Sequence, residues 1–294
     1  MSLSWTPCLV RSTDEAGAVS VALGHELVDA YLRFVAARAR PNTVLAVGFD
    51  LKVFFGVVGK EPAEVATGDV LGFIEAQRRP RHGNVVRIED GERGLSSHTI
   101  KRRLSSVAGL FDYLIAIGVG ERNPVPRGLA TRRPNSKGRG VALVRAPRTL
   151  PRVLDPAEVD ALMSTLRTRR DRAMAEAMLL GGLRRCEMLG LRLGDLNLGE
   201  KRVFVVEGKG GHQRLVPMSS RFFATVAEYL ENERPRTSQT DRLFVVLKGQ
   251  RWGQPLSAAG VDEIFRAARD RAGLAHLTCH ELRHTCLTRL REAG

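Results

Sequence analysis

No stretch of this 294-residue sequence approaches the roughly eighteen consecutive apolar residues that a membrane-spanning helix needs. The opening residues, MSLSWTPCLVRSTDE, also lack the basic, then apolar, then small-residue order of a secretion signal. Neither a membrane span nor a signal peptide is expected, and the cytoplasm is the expected compartment. Cysteine is scarce: Cys8, Cys186, Cys279 and Cys286 share no repeated pair spacing, which excludes a disulfide framework in a chain of this length and reads as four reduced thiols. No internal repeat stands out. Acidic residues are short, 32 against 46 basic ones, and only seven of those 46 are lysine. Codon bias toward Ala, Gly and Val can inflate arginine, but it does not explain the surplus of base over acid. A net charge of +14 favours a polyanionic partner, because each neutralised phosphate releases condensed counterions, and nucleic acid is the leading candidate.

What is present describes a folded protein: 43% apolar and 27% charged residues, spread along the whole length. The size suggests two domains, each able to bury a core. From Leu27 to Val119 the apolar residues recur at helical spacing. Leu27, Tyr31, Leu32 and Val35 mark one helix, Val44, Val47, Leu51, Phe54 and Phe55 a second, and Val70, Leu71, Phe73 and Ile74 a third. The fourth runs from Ser97 through Ile100, Leu104, Val107, Leu110, Phe111, Leu114 and Ile115, with Lys101, Arg102 and Arg103 clustered in its first turns. The polar, glycine-containing stretch from Arg78 to Gly94 reads as a long surface loop.

Periodicity then disappears from Pro126 to Arg152, where Arg127, Arg132, Arg133, Lys137, Arg139, Arg145, Arg148 and Arg152 occur with no acidic residue. This is a basic linker, suited to the phosphate backbone as well as to a solvated tether. A second domain opens with a helix start, since Asp155 can cap, Pro156 suits the first helical position and Glu158 completes a capping box. A helix from Asp171 ends near Gly181 and Gly182, and another begins at about Leu183. Strands are expected over 203–206 and 214–216, with three glycines between Glu207 and Gln213 suiting a hairpin turn. Helices return over 221–232, 258–272 and 280–292, with one more strand at 243–247. The expected domains are an N-terminal arm (1–20), a helical domain (21–125), the basic linker (126–152) and a mixed domain (153–294).

Three motifs carry chemistry. In Gly182-Leu183-Arg184-Arg185-Cys186-Glu187-Met188-Leu189, Arg184 follows a Gly-Gly break in the first turn of a helix. There a planar fork of donors beside a positive helix terminus suits a phosphate, and Glu187 can orient that fork. The hairpin Glu207-Gly208-Lys209-Gly210-Gly211-His212-Gln213-Arg214-Leu215-Val216-Pro217 places Lys209 on a glycine-rich turn, from which a lysine can be carried to a leaving group. In His280-Glu281-Leu282-Arg283-His284 a spacing of three puts His280 and Arg283 on one helical face, while Leu282, Cys286 and Leu290 can pack on another. The last motif also satisfies H-E-x-x-H, in which His280 and His284 would bind zinc and Glu281 would activate water. The extended zinc motif needs Gly and His at positions 287 and 290, where Leu287 and Leu290 stand.

Taken together and in this order, the motifs resemble the three signatures of the tyrosine recombinases of the phage-integrase family: G-L-R-x-x-E-L, a G-K-G turn followed by a basic residue and V-P, and H-x-L-R-H. The resemblance implies a mainly α fold, with an all-helical core-binding (SAM-like) domain and a mixed α+β catalytic domain carrying a small antiparallel sheet. It implies catalytic roles for Arg184, Lys209, His280 and Arg283, support from Glu187 and His284, and DNA contacts from Lys101, Arg102, Arg103, Arg132, Arg133, Lys137 and Arg139. The implied reaction joins a tyrosine to the 3′ side of a broken strand and conserves bond energy, so neither cofactor nor metal is expected. Double-stranded DNA and a tetramer of the chain on paired sites are the implied partners, inside a bacterial cell and away from membranes. The roles left open are phage integration, transposon movement, cassette capture and chromosome dimer resolution.

The sequence departs from the family in one respect. The family's tyrosine lies downstream of the H-x-x-R box, and here Tyr31, Tyr113 and Tyr229 all precede His280 at apolar helical positions. The chain reads as cut short before its nucleophile. The alternative to a recombinase is therefore a DNA-binding module or integrase remnant that does not cleave.

Overall fold

The computed structural model describes residues 5–13, 19–79, 94–128, 142–147, 152–206 and 213–293. The chain divides into two compact units, Met1–Arg148 and Thr149–Gly294.

The first unit holds four helices, α1 (Glu26–Ala36), α2 (Pro41–Val58), α3 (Thr67–Arg78) and α4 (Ser97–Ala116). Their apolar stripes meet in one core built on Leu32, Leu51, Phe54, Phe73, Ile100 and Leu110. The helical period of the sequence predicts all four. It does not predict the antiparallel pair of β1 (Val10–Thr13) and β2 (Val19–Ala22), which runs from the expected N-terminal arm (1–20) into the start of the expected helical domain. All four β1 residues are exposed, so the strand carries no alternation to read. The hairpin is held from its other end, where Leu23 is fully buried and its carbonyl accepts from Trp5 Nε1 at 3.1 Å. A further difference concerns the basic linker, whose Val144 is buried in the core of this unit. Residues 80–93 of the expected surface loop lie outside the described residues.

Helix α2 has the length and mean hydropathy, 1.4 over 18 residues, of a membrane span. Its composition is that of a core helix: Val44, Leu51, Phe54 and Phe55 are buried among its neighbours. Its buried Asp50 accepts from Arg102 Nη1 at 2.7 Å and from Ser106 Oγ at 2.9 Å.

The second unit comprises α5 (Pro156–Thr165), α6 (Arg169–Leu179), α7 (Arg185–Gly190), β3 (Leu196–Asn197), β4 (Arg202–Val205), β5 (Arg214–Pro217), α8 (Ser220–Asn232), α9 (Ala258–Arg271) and α10 (Cys279–Glu292). The expected capping box starts α5, with Glu158 N donating to Asp155 Oδ1 at 2.7 Å and Asp155 N to Glu158 Oε2 at 3.1 Å. Helix α6 is the central element, buried at every position from Arg170 to Leu179 except Arg172. The strands form one antiparallel sheet in the order β3-β4-β5, with Val203 opposite Val216 and Val205 opposite Arg214. The expected strand at 243–247 is not formed. Leu243, Phe244 and Val245 are buried, but only isolated bridges join Arg192 to Arg242 and Val245 to Pro255. A buried apolar run has no alternation to separate a strand from a packed loop. The fold is mainly helical with a small antiparallel sheet.

Candidate active site

Two glycines set the geometry of the first motif. Gly182 lies in the left-handed region at φ +59°, and a Cβ there would meet Cys286 Sγ of α10 at 3.3 Å. A Cβ on Gly181 would fall 2.2 Å from Met218 Sδ. The Gly-Gly break thus lets the chain pass close under α10, and the Gly182 carbonyl accepts a hydrogen bond from Arg283 Nη1. Arg184 follows as the residue that caps α7, in an extended conformation at φ −73°, ψ 154°. This corrects the expectation that it sits inside the first turn: its own N–H is taken by Glu187 Oε2 at 2.8 Å, so the helix starts one residue later.

The Glu187 carboxylate is fully buried and sits at the centre of the site. Oε1 accepts from Arg184 Nη1 at 2.7 Å and from Arg214 Nη1 at 3.0 Å. Oε2 accepts from the Arg184 backbone and from Arg214 Nη2 at 2.8 Å. Arg283 Nη1 stands 3.6 Å from Oε2. Burial pushes the carboxyl up, but hydrogen bonds from Arg214 and Arg184 outweigh it and bring the Glu187 pKa down to about 2. The carboxylate is charged at every physiological pH.

Helix α10 begins with a capping box in which Thr278 N donates to Glu281 Oε2 at 2.6 Å and Glu281 N donates to Thr278 Oγ1 at 3.3 Å. Leu282, Thr285 and Cys286 are buried on its inner face, whereas Leu290, expected there, is 61% exposed. Thr285 Oγ1 accepts from Leu154 N at 2.9 Å, which ties the helix to the start of the unit. His280 and His284 meet Nε2 to Nε2 at 2.7 Å, one ring donating and the other accepting. Burial first, then His284, Arg283 and Arg184, lower the His280 pKa, against Glu281, which raises it. His280 is therefore neutral at pH 7.

This geometry does not fit the zinc reading. Two nitrogens each about 2.1 Å from a tetrahedral zinc stand roughly 3.4 Å apart, well beyond the 2.7 Å that separates these two, and Glu281 is committed to the helix cap. No cluster of three or more potential metal ligands occurs among the described residues.

Arg184, His280 and Arg283 line one pocket of about 630 Å³ between α7, α9 and the start of α10. Its wall also carries Arg185, Arg266 and Arg269 against one acid, Asp262, which pairs with Arg185. Burial and the Asp262 charge push the thiol of Cys279, in the same wall, up to about 11, which keeps it protonated. The pocket can hold an anion beside a neutral imidazole. Arg214, the basic position before V-P, has no role that the sequence alone assigns to it. The available signal was the single acid beside Arg184 and Arg283 on one side and a basic strand residue on the other.

Lys209 lies outside the described residues, as do Arg132, Arg133, Lys137 and Arg139. On α4, Lys101 is exposed and Arg102 is half-exposed while paired with Asp50. Arg103 is turned inward: it donates to Gln77 Oε1 and lies 3.8 Å from Asp50, with its side chain 12% exposed. The tyrosines are core residues. Tyr229 is fully buried, its hydroxyl donating to the Leu243 carbonyl at 3.1 Å, and Tyr31 is buried against Tyr113 in the first unit.

Residues 152–294 match the phage integrase family. A tyrosine recombinase XerC of Xylella fastidiosa (strain 9a5c) is 32% identical over 234 residues, covering 78% of this chain and 71% of the relative. The XerC of Roseiflexus castenholzii is 28% identical over 287 residues, covering 92% and 82%. Among solved structures, a lambda integrase dimer bound to a COC′ core site superposes with a TM-score of 0.65 at 18% identity, over 92% of this chain and 89% of that one. The Tn1549 transposon integrase in complex with circular intermediate DNA gives 0.64 at 20% identity, over 91% and 87%. By the extent and identity of these matches, the chain belongs to the phage integrase family of tyrosine recombinases.

Proposed function

We propose that the chain acts in site-specific DNA recombination, with Arg184 and Arg283 holding the two non-bridging oxygens of the phosphodiester to be broken. The observation that supports this most is the convergence of those two guanidiniums and the neutral His280 on one pocket with five arginines and a single aspartate in its wall. In the reaction, a tyrosine oxygen bonds to phosphorus as the bond to the 5′-oxygen breaks. The leaving oxygen takes a proton from Lys209, assigned by its place in the G-K-G motif. The resulting 3′-phosphotyrosyl link is later reversed by a 5′-hydroxyl from the partner strand. Arg184 and Arg283 meet the charge that grows on the oxygens, and each such preorganised donor contributes on the order of 10² to 10³ in rate. His280, neutral at pH 7, accepts the proton that the attacking tyrosine oxygen loses. Bond energy is kept in the phosphotyrosyl link, so the chemistry consumes no ATP.

Duplex DNA is the partner in this reading, with Lys101 and Arg102 of α4 and Arg132, Arg133, Lys137 and Arg139 on its backbone, in the cytoplasm. A lambda integrase tetramer bound to a Holliday junction shares the fold, with a TM-score of 0.64 at 18% identity. That supports a tetramer on paired sites here as well. The test is anisotropy of a labelled duplex titrated with the purified chain between roughly 50 and 200 mM salt. Affinity should fall steeply with salt, and Arg184→Ala and Arg283→Ala should each weaken it. Binding that ignores salt would overturn the proposal.

The tyrosine positions favour a second reading for these 294 residues taken alone. Burial raises the Tyr229 pKa, and its hydroxyl is engaged with the Leu243 and Val245 backbone. Such a group does not attack phosphorus. The chain on its own should then bind a nicked suicide duplex without forming an SDS-stable protein–DNA adduct, and an adduct would refute this reading.

A further inference from the structure

Arg214 belongs to none of the three motif positions given a role above, yet it makes the most complete contact in the site. An ionised carboxylate offers about four acceptor positions. Glu187 has all four filled: two by Arg184, through Nη1 and its backbone N–H, and two by the fork of Arg214 at 3.0 and 2.8 Å. Arg283 Nη1, at 3.6 Å from Oε2, is too far to form a hydrogen bond with that carboxylate and donates instead to the Gly182 carbonyl. Three guanidiniums thus surround one buried carboxylate and leave a surplus of two positive charges beside the pocket. Take Arg214 away and two acceptor positions of a buried anion stand open within reach of Arg283, and the surplus falls to one.

We propose that Arg214 is a positioning residue for the arginine clamp. By saturating Glu187 it prevents Arg283 from closing onto that carboxylate and keeps the Arg283 fork facing the pocket, where a phosphodiester is bound. A lysine can fill one acceptor position but not two, because its ammonium is a point charge and not a planar fork. The inference rests on the reading of Arg184 and Arg283 as a phosphate clamp.

The test uses the whole 294-residue chain and inorganic phosphate as the probe, at pH 7 and low salt. Binding is read from the side-chain Nε–Hε NMR signals of Arg184 and Arg283. In the unsubstituted chain both signals should shift saturably. Arg214→Met should weaken phosphate by roughly tenfold or more and displace the Arg283 signal before any phosphate is added. Arg214→Lys should fall between the two, and Glu187 followed by carboxyl ¹³C should titrate higher in the Met variant than in the unsubstituted chain, where Arg214 and Arg184 hold it down to about 2. A purely structural role would lower the unfolding midpoint without changing the phosphate affinity of the folded molecules. Phosphate binding by Arg214→Met equal to that of the unsubstituted chain overturns the proposal. Should that variant lose its fold by circular dichroism, Arg214→Lys decides alone, and unweakened phosphate binding by it is equally fatal. If the unsubstituted chain shows no phosphate-induced shift at Arg184 or Arg283, it is the clamp reading itself that fails.

Discussion

Replacing Glu187 by glutamine should cost the second unit about 3 kcal/mol at pH 7, and the cost should vanish in acid. The carboxyl is fully buried, and its pKa is about 2, against 4.5 for an unperturbed glutamate. Burial alone would have pushed it up, so the interactions with Arg214 and Arg184 overcome that penalty and then hold the proton off. A folded-state pKa below the unfolded one means that the unfolded chain takes up the proton first as pH falls. The stabilisation is therefore complete above pH 4.5 and is lost progressively down to about pH 2, and the interval corresponds to about 3 kcal/mol. Glutamine keeps the shape but brings an NH₂ against guanidinium donors and leaves three cations without their anion, an outcome in the range found for breaking a buried ion pair, about 3 to 5 kcal/mol. Urea unfolding followed by the ¹³C-methyl signals of Met174 and Met178, both fully buried in α6, reads the second unit by itself. The free-energy difference between the unsubstituted chain and Glu187→Gln should shrink steadily from pH 5 to pH 3. A difference that stays constant over that range would show that no depressed carboxyl is present and would refute the account of the network.

Three further outcomes follow from the same physics. Thr285→Val leaves the buried Leu154 N–H without its acceptor at 2.9 Å and should destabilise the second unit by about 1 to 3 kcal/mol, with Thr285→Ser restoring most of it; a change under about 0.5 kcal/mol would mean the bond is not made. Asp50 in the first unit has the opposite sign to Glu187, because burial raises its pKa despite Ser106, Arg102 and Arg103; its carboxyl ¹³C should titrate above 3.8, and a midpoint below that value would contradict its burial. His280 should titrate below 6.5 by ¹H–¹³C NMR, and His284→Ala, which removes a neighbour that lowers it, should move the midpoint up; no movement would disconnect the two rings.

The helices were legible because burying one stripe of a helix leaves a period in the sequence that no other element shares. Phe54 and Phe55 in α2 and Leu110 and Phe111 in α4 fall on that period and are buried. The β1–β2 hairpin and β3 were not legible for the complementary reason. Four exposed residues and a two-residue strand have no buried face to impose alternation, and the bond that holds the first pair at its end, Trp5 to the Leu23 carbonyl, joins residues 18 positions apart. Val144 shows the same limit from the other side. It closes a four-residue apolar run (141–144) inside a basic stretch, too short to show a period, yet it is buried in the first unit's core.

At the site, spacing within one helix was readable and spacing between elements was not. His280 and Arg283 share a face of α10 because three residues make nearly one turn, and both line the pocket with Arg184. Which arginine of Arg184-Arg185 faces Glu187 could be taken only from resemblance, and the structure gives the reason. Arg184 precedes the helix and reaches Glu187, whereas Arg185, one residue into α7, turns to Asp262 of α9. The pairing of Arg214 with Glu187 was invisible because the two are 27 residues apart on different elements, and no local period connects a strand residue to a helix residue. A buried carboxylate beside two arginines nevertheless states a requirement that a sequence can be searched for. Its acceptor positions exceed what one neighbour supplies, and in a site proposed to keep a surplus of positive charge for a phosphate, the remainder has to come from a further cation on another element.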